Sequence, residues 1–365
     1  MQRTQVGAGL RGLPTYAITD LVVPGGGATV ADDLNDRGDV AGTFEEGVVM
    51  AGPKPSHPFL YHNHKMIDLD GLHTGLEFFP ILNGRGQLLA AYPTKEDKWG
   101  WKDTHLCLFA DNRTTDLGTL HHIRLHPTAL NNRGQVLGDH DHAPQGNRPL
   151  LFSDRKYQDL GSLGGYDCNA TALNEKGQVV GWSHIRGSQP PGTYPIDRDG
   201  SNILPNIRHA FLYSDHKMHD LGALDDDDSW AWAINNRGQI VGYAGVRTHR
   251  SHAFLYSQHK MVDLGTLGDY YSTAFAINDA GQIVGTSSTG QHNSEGRDVW
   301  HAFLYTDGKM IDLNSLLPPE SGWTLETARR INVGGQIAGY GYRTGDKKPH
   351  AFLLTPIHPP SPHAP

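Results

Sequence analysis

The chain has 365 residues, with 31 lysines and arginines against 39 aspartates and glutamates, and its formal net charge of −8 argues against a broadly basic nucleic-acid-binding protein. Its 44 glycines, 22 prolines and mean hydropathy of −0.48 are typical of a turn-rich protein with many short strands rather than long amphipathic helices. Two cysteines exclude a disulfide scaffold, and no apolar stretch approaches the roughly 18 residues that span a bilayer.

The predicted elements begin with a single strand at residues 16–21, after an N-terminal extension of residues 1–15. Three short segments then recur along the chain, seven times each. Segments of the type N-x-x-G-x-[LIV]-x-[GA] begin at Asn35, Asn83, Asn131, Asn174, Asn235, Asn278 and Asn332. Segments of the type H-A-F-L-Y begin at His57, His105, Arg148, His209, His252, His301 and His350. Segments of the type K-M-x-D-L carry their aspartate at Asp20, Asp68, Asp116, Asp159, Asp220, Asp263 and Asp312.

Each copy of this repeat reads as four strands, A to D, because apolar and polar residues alternate between the landmarks. Asn-x-x-Gly joins strands A and B as a tight hairpin, H-A-F-L-Y is strand C and K-M-x-D-L is strand D. Four-stranded units of about 40–50 residues repeated in series predict a β-propeller. Seven copies therefore predict an all-β, seven-bladed propeller with antiparallel blades.

The two ends of the chain complete the last blade in this prediction. The N-terminal strand has the D pattern, and the chain ends with a single C strand at residues 350–354. Together they close the ring, so that no inter-blade edge stays open. The propeller is predicted as one domain, residues 16–354, followed by a proline-rich tail at 355–365 that we expect to be disordered.

The repeat resembles the bacterial HAF-repeat family, whose members are predicted extracellular repeats of propeller type. The resemblance rests on His-Ala-Phe-Leu-Tyr followed by Asp-Leu-Gly and Ile-Asn-x-x-Gly-Gln-Ile-Val-Gly, and it covers residues 16–354. It implies a fold and no shared activity. The sequence departs from the pattern at Arg148 and at Leu106–Cys107.

The lengths of the connections distinguish the two ends of the propeller. The strand-D aspartate and the next repeated asparagine are 15 residues apart in six copies, whereas Asn to H-A-F-L-Y varies from 17 to 35. The variable B–C connections open at the same end as the D–A connections, which we call the loop face. The A–B and C–D turns lie at the other end, the turn face. Because variable loops on a rigid scaffold carry function, we expect a site at the loop face.

Histidines concentrate in the third copy, where five of the 22 lie within residues 121–142. His140 and His142 run toward the loop face, and residues two apart on a strand share a side. Two imidazoles at one point suit a general-base pair or two ligands of Zn²⁺ or Mn²⁺, and a solvated polar loop is the alternative. The sequence requires no cofactor, and a divalent metal at His140 and His142 is a candidate.

Residues that occur in one copy only are the remaining candidates, because repeated ones are explained by the scaffold. The predicted catalytic residues are His140, His142, His184, Tyr342 and Arg343. The predicted substrate-binding residues are His126, Trp230, Trp232, Arg247, Tyr271 and Arg329. The tryptophans could instead pack between blades, and Arg329–Arg330 could pair with Asp32–Asp33 across the ring seam rather than hold a ligand carboxylate.

These residues predict an enzyme that uses a histidine base with arginine or tyrosine. No hydrolase or nucleotide motif occurs, so the expected chemistry is that of a lyase, isomerase or cyclase acting on an anionic small molecule or saccharide. The alternative is a non-catalytic carbohydrate- or protein-binding propeller. We expect a monomer without nucleic-acid or membrane partners, cytoplasmic as the chain stands, or extracellular if a signal segment has been removed.

Overall fold

The computed structural model describes residues 14–23, 26–46, 56–72, 76–92, 103–121, 123, 125–141, 146–186, 207–225, 228–246, 250–268 and 270–357. The strands form seven four-stranded antiparallel sheets, and successive sheets pack against one another around a ring. The chain is therefore a seven-bladed β-propeller, as its repeats predict.

The blades are numbered by their repeated asparagine. Blades one to three contain β2 (Gly26–Leu34), β3 (Val40–Glu46), β4 (Ser56–His62), β5 (Lys65–Asp68), β6 (Glu77–Leu82), β7 (Leu88–Tyr92), β8 (Thr104–Ala110), β9 (Arg113–Leu120), β10 (Leu125–Leu130), β11 (Val136–Asp141), β12 (Asn147–Ser153) and β13 (Lys156–Asp159). Blades four to six contain β14 (Gly164–Leu173), β15 (Val179–Ile185), β16 (Arg208–Ser214), β17 (Lys217–Asp220), β18 (Ser229–Ile234), β19 (Ile240–Val246), β20 (Arg250–Ser257), β21 (Lys260–Asp263), β22 (Ser272–Ile277), β23 (Ile283–His292), β24 (Asp298–Thr306) and β25 (Lys309–Asp312). Blade seven contains β26 (Trp323–Ile331), β27 (Ile337–Arg343), β28 (His350–Pro356) and the first strand of the chain, β1 (Tyr16–Asp20). Two short 3-10 helices, Asp70–Leu72 and Leu313–Leu316, follow strands D.

Blade seven is closed by both ends of the chain, as predicted. Its strand order is β26, β27, β28, β1, and β1 pairs with β28 from Tyr16 opposite Pro356 to Asp20 opposite Phe352. The last strand runs two residues beyond the predicted end at 354. The ring is therefore joined by backbone hydrogen bonds between the two ends of the chain.

The glycine of strand B is required by the close approach of strand A. A Cβ atom at Gly181 would lie 2.0 Å from the carbonyl oxygen of Asn169 on β14. Strand A is irregular at this level, with a register shift between Ala170 and Ala172. A strand-A carbonyl oxygen also closely approaches the strand-B glycine in five other blades, at Gly42, Gly138, Gly242, Gly285 and Gly339, whereas blade two has Ala90 at this position.

The repeated asparagines join neighbouring blades on the turn face. The amide of Asn278 donates to the Gln282 side chain at 2.8 Å and to the carbonyl of Asn332 in the next blade at 3.0 Å. Its side-chain oxygen accepts from the backbone of Ala280 and Gln282. The bond to the next blade's asparagine carbonyl recurs from Asn83, Asn131, Asn174, Asn235, Asn278 and Asn332. These residues therefore hold the scaffold together.

Replacing Asn278 by alanine is expected to lower the free energy of unfolding by about 2–3 kcal/mol, because its four hydrogen bonds are lost in a buried position. Urea denaturation measures the change. Asn293 supplies a matched control, since it bonds the backbone of Glu295 and Arg297 in the same turn geometry but in an exposed connection. Asn293→Ala should cost less than about 1 kcal/mol. Equal losses in the two variants would contradict the inter-blade role.

The histidine that opens strand C pairs with the aspartate of strand D in five blades. The pairs are His105–Asp116, His209–Asp220, His252–Asp263, His301–Asp312 and His350–Asp20, at 2.7–3.2 Å. In blade one His57 pairs instead with Asp70 at 2.7 Å. In blade three Arg148 replaces the histidine and donates to the backbone carbonyls of Asn147 and Tyr166. These histidines are scaffold residues of the repeat.

Candidate ligand-binding site

The central channel is lined by strands A. A cavity of about 190 Å³ within it is lined in part by Trp232, Phe275, Thr171, Arg330 and Asp33. The rings of Trp232 and Phe275 lie 6.0 Å apart, and Trp232 is 36% exposed. The channel therefore offers an aromatic pair and a charged pair.

The charged residues of the channel pair with each other across the ring seam. Arg329 lies 3.2 Å from Asp32, and Arg330 lies 3.1 Å from Asp33. Burial raises the pKa of Asp32, and the two guanidinium groups partly offset that effect. Of the two alternatives stated above, the structure contains the ion pairs, so the predicted binding residue Arg329 is already paired with Asp32.

A second group of side chains lies between blades four and five, near the loop face. We call Trp182, Arg208, Asp228, Trp230 and Tyr243 the junction cluster. The Arg208 guanidinium carbon is 4.4 Å from the centroid of the Trp230 ring and 5.8 Å from that of Trp182. Tyr243 meets Trp230 edge to face at 4.7 Å. An arginine between two indoles is stabilised by cation–π attraction.

Two N–H groups of the junction cluster are buried without an acceptor among the described residues: Nε of Arg208 and Nε1 of Trp230. Among the described residues, Asp228 accepts from the Nη2 of Arg208, at 2.7 Å, and from the backbone amide of Arg208, at 2.8 Å. A buried donor without a partner costs about 1–3 kcal/mol. The cluster is therefore suited to bind an oxygen acceptor of a ligand.

The other groups beside the cluster are hydrogen-bond donors rather than bases. Burial raises the pKa of Tyr243, so its phenol stays protonated. His184 is 4% exposed, lies edge-on to Trp182 at 5.7 Å, and accepts the backbone N–H of Asp167 at Nδ1. Because Nδ1 is the acceptor, the neutral imidazole carries its proton on Nε2. Nε2 can therefore donate a hydrogen bond but cannot take up a proton.

The predicted catalytic residues within the described chain are spread over three blades. His140 on β11 stands opposite Arg148, whereas His184 on β15 stands opposite Arg208. Arg148 and Arg208 occupy successive positions of the strand-C repeat, so the two histidines point to opposite faces of their blades. His142 lies outside the described residues.

The third group of candidates is in blade seven. Arg343 lies 3.2 Å from Asp20, the aspartate of the closing strand. Burial raises the pKa of Tyr342, and the neighbouring Glu326 and Tyr340 add to the effect. At neutral pH Tyr342 is therefore a protonated phenol, and Arg343 belongs to the seam of the propeller.

The predicted binding residues also divide into separate groups. Trp230 belongs to the junction cluster, and Trp232 and Arg329 lie in the channel. Tyr271 stacks on Trp300 in blade six at 6.1 Å, and His126 on β10 is exposed. Arg247 lies outside the described residues. The structure thus places one predicted binding residue, Trp230, in the junction cluster.

Sequence reasoning missed most of the junction cluster. Arg208 directly precedes the histidine of strand C, and Trp182 directly follows the glycine of strand B. Each position varies from blade to blade, and a comparison of the copies position by position would have singled out both residues. Asp139 was also missed as a titratable group: it is 9% exposed, and burial raises its pKa to about 7.

No group of three or more His, Cys, Asp or Glu side chains with metal-binding geometry occurs in the part of the chain that the structure describes. The metal proposed at His140 and His142 stays a prediction, because one of its two ligands is not among the described residues. The structure likewise has, within those residues, no helix of sufficient length and apolar character to cross a bilayer.

Comparison with known proteins supports the fold. A family described as a protein of unknown function (DUF3466) matches residues 164–344, just under half of the chain. No curated protein matches. The β-propeller domain of the Trilobed protease from Pyrococcus furiosus is similar with a TM-score of 0.54 and 11% identity, over 92% of this chain and 97% of that domain. The Pyrococcus horikoshii acylaminoacyl peptidase is similar with a TM-score of 0.52 and 10% identity, over 91% of this chain and 52% of the peptidase, so this chain spans about half of that enzyme. At such identities the likeness shows the propeller fold alone.

Proposed function

We propose that this chain is a non-catalytic binding propeller for an acidic saccharide, which it holds at the loop face through the junction cluster. The observation that carries the proposal is the pair of buried N–H donors on Arg208 and Trp230. Carboxylate, hydroxyl and ring oxygens of a sugar acid are acceptors that would satisfy both donors. We also propose, on the repeat residues alone, that the chain is a HAF-repeat protein.

The neighbouring junction, between blades five and six, supports a ligand longer than one ring. Tyr270 is 42% exposed, and Arg250 lies 4.1 Å from its ring centroid. Arg250 has no carboxylate partner within the described residues, in contrast to Arg208. Tyr271 and Trp300 add a stacked aromatic pair beside it. Aromatic faces, together with a guanidinium that has no carboxylate partner among the described residues, suit the ring faces and carboxylates of a sugar-acid oligomer.

Binding is favoured over acid–base catalysis because two of the predicted catalytic groups, His184 and Tyr342, are poor bases. His184 uses its Nδ1 lone pair to accept a backbone N–H, and Tyr342 is a phenol whose pKa is raised. The lyase, isomerase or cyclase activity expected from the sequence stays a prediction for the same set of residues. It would require a base that these contacts do not supply.

The proposal is tested by calorimetric titration with a galacturonate hexamer. Trp230→Phe removes one donor and should weaken binding about five- to tenfold, and Arg208→Lys should weaken it at least tenfold, because each loses a buried hydrogen bond. Trp232→Phe is the matched control two residues away on β18, in the channel, and should leave the affinity unchanged.

Three results separate the alternatives. A neutral glucan hexamer of equal length should bind at least tenfold more weakly than the galacturonate. Equal effects of Trp230→Phe and Trp232→Phe would place the ligand in the channel and contradict the proposal. Time-dependent conversion of the hexamer would favour the enzyme predicted from the sequence.

A further inference from the structure

A second cavity lies between blades one and two, near the turn face and apart from the junction cluster. Its volume is about 200 Å³. Most of its wall is apolar, from Leu60, Ile67, Leu69, Leu72, Leu88 and Phe109. Arg37, Asp39 and His62 supply polar groups at its rim. Engineered cavities of about 150 Å³ with apolar walls hold a molecule of benzene, so this cavity has room for one six-membered ring.

The cavity coincides with a departure from the repeat. Asp39 stands where the other six copies have glutamine. That glutamine reaches the turn glycine of the next blade. In blade seven, for example, Gln336 Oε1 lies 3.0 Å from where a Cβ atom on Gly38 would be. Asp39 is shorter, and the Arg37 side chain lies against Gly86 in its place. The cavity thus lies beside the one inter-blade contact of this type that an arginine makes in place of a glutamine.

His62 is also particular to blade one. The residue at its position in the other blades is alanine, serine or threonine, as at Ala110, Ser153, Ser214, Ser257, Thr306 and Thr355. His62 Nδ1 lies 2.6 Å from Asp39 Oδ1, and its Nε2 lies 2.8 Å from the amide of Asn63. Two substitutions that occur in a single blade thus meet at a single cavity.

The proton positions follow from the contacts of Asp39. Although burial opposes it, hydrogen bonds from Asn35, His62 and Arg37 lower the pKa of Asp39, so the group is a carboxylate. A carboxylate accepts, and His62 therefore donates through Nδ1–H. In the neutral imidazole Nε2 then carries a lone pair, now used by the exposed Asn63 amide. A ligand hydroxyl can take the place of that amide.

We propose that this cavity binds a small phenol, with the ring among the leucine, isoleucine and phenylalanine side chains and the hydroxyl donating to His62 Nε2. The apolar wall selects a single ring, and the carboxylate behind the imidazole makes Nε2 a strong acceptor. The site is independent of the junction cluster, because the two share no residue and no blade.

The experiment uses 4-bromophenol as the probe, with the full-length protein. Calorimetry should show one site, and a crystal soaked with the probe should show the anomalous signal of bromine between blades one and two. Asp39→Gln restores the residue of the other six blades and should weaken binding by removing the carboxylate that holds the proton of His62 on Nδ1. His62→Ser introduces the residue of three other blades and should weaken 4-bromophenol about tenfold by removing the acceptor. It should leave bromobenzene binding unchanged.

Two outcomes would overturn the proposal. One is a bromine signal elsewhere or none at millimolar probe. The other is unaltered 4-bromophenol affinity in both variants, with folding verified by circular dichroism. Because these variants lie in blade one, their results say nothing for or against saccharide binding at the junction cluster, so the two proposals fail separately.

Discussion

Replacing Tyr16 by alanine should lower the free energy of unfolding by about 3–5 kcal/mol, because the side chain is fully buried in the strand that closes the ring. It packs with Phe352 and Leu354 of β28 and with blade six through Leu304 and Leu313. Loss of the aromatic side chain weakens the strand pairing between the two ends of the chain as well as the core. Urea denaturation at neutral pH measures the effect.

Tyr16→Phe should act in the opposite direction. The Tyr16 hydroxyl is buried without a hydrogen-bond partner among the described residues, and burial raises the pKa of Tyr16, so the group is a desolvated phenol. Removing the hydroxyl should raise the free energy of unfolding by about 1 kcal/mol, because the buried aromatic ring is kept. Tyr157, which is 54% exposed, is the control, and its alanine variant should change stability by less than about 0.5 kcal/mol. A destabilised Tyr16→Phe would show that the hydroxyl has a partner after all.

Asp139→Asn should make the protein more stable at pH 8 and leave it nearly unchanged near pH 4. Burial raises the pKa of Asp139 to about 7, and a backbone hydrogen bond from Ala170 at 2.9 Å only partly offsets that rise. Between about pH 4 and pH 7 the unfolded chain therefore releases a proton that the folded chain keeps, so stability falls as the pH rises through this window. At about 1.4 kcal/mol per pKa unit the loss is at most about 4 kcal/mol.

Denaturant titrations between pH 4 and pH 8.5 test this expectation. The asparagine side chain still offers an acceptor to the Ala170 amide. The variant should therefore differ from the wild type only in how its free energy of unfolding changes with pH. Asp220→Asn is the control of opposite sign, because hydrogen bonds from His209 and Gly222 outweigh burial and lower the pKa of Asp220. The stability that Asp220 contributes is present above its unfolded pKa near 4 and is lost as the pH falls through its lowered pKa. Parallel stability curves for wild type and Asp139→Asn would contradict the raised pKa.

The fold was predictable because its determinants are local and repeated. Asn-x-x-Gly sets each A–B hairpin, the strand-C histidine and the strand-D aspartate mark the outer strands, and the two half-blades at the chain ends are visible in the sequence itself. Even the role of the asparagines as scaffold followed from their recurrence, and the bonds from Asn278 to Asn332 and its equivalents give that role a physical basis. The propeller architecture can thus be predicted from the spacing of these repeated residues.

The candidate site was only partly predictable, because it depends on side chains from different blades. Arg208 and Trp230 are far from adjacent in the sequence, and they meet because strand C of blade four packs against strand A of blade five. Position within the strand also matters: His140 and His184 were both predicted to be catalytic, but they differ by one position relative to the strand-B glycine. A one-residue offset on a strand turns a side chain to the other face.

The asparagine hydrogen bonds on the turn face link neighbouring blades at one end of the propeller. Six of these bonds run from one blade to the next, but the amide of Asn35 goes to Asp39 within its own blade, and within the described residues it makes no bond to Asn83. The series of asparagine hydrogen bonds is therefore interrupted at one junction, between blades one and two. With one asparagine bond fewer, this junction is expected to separate more readily than the other six, so motion between blades should be greatest there.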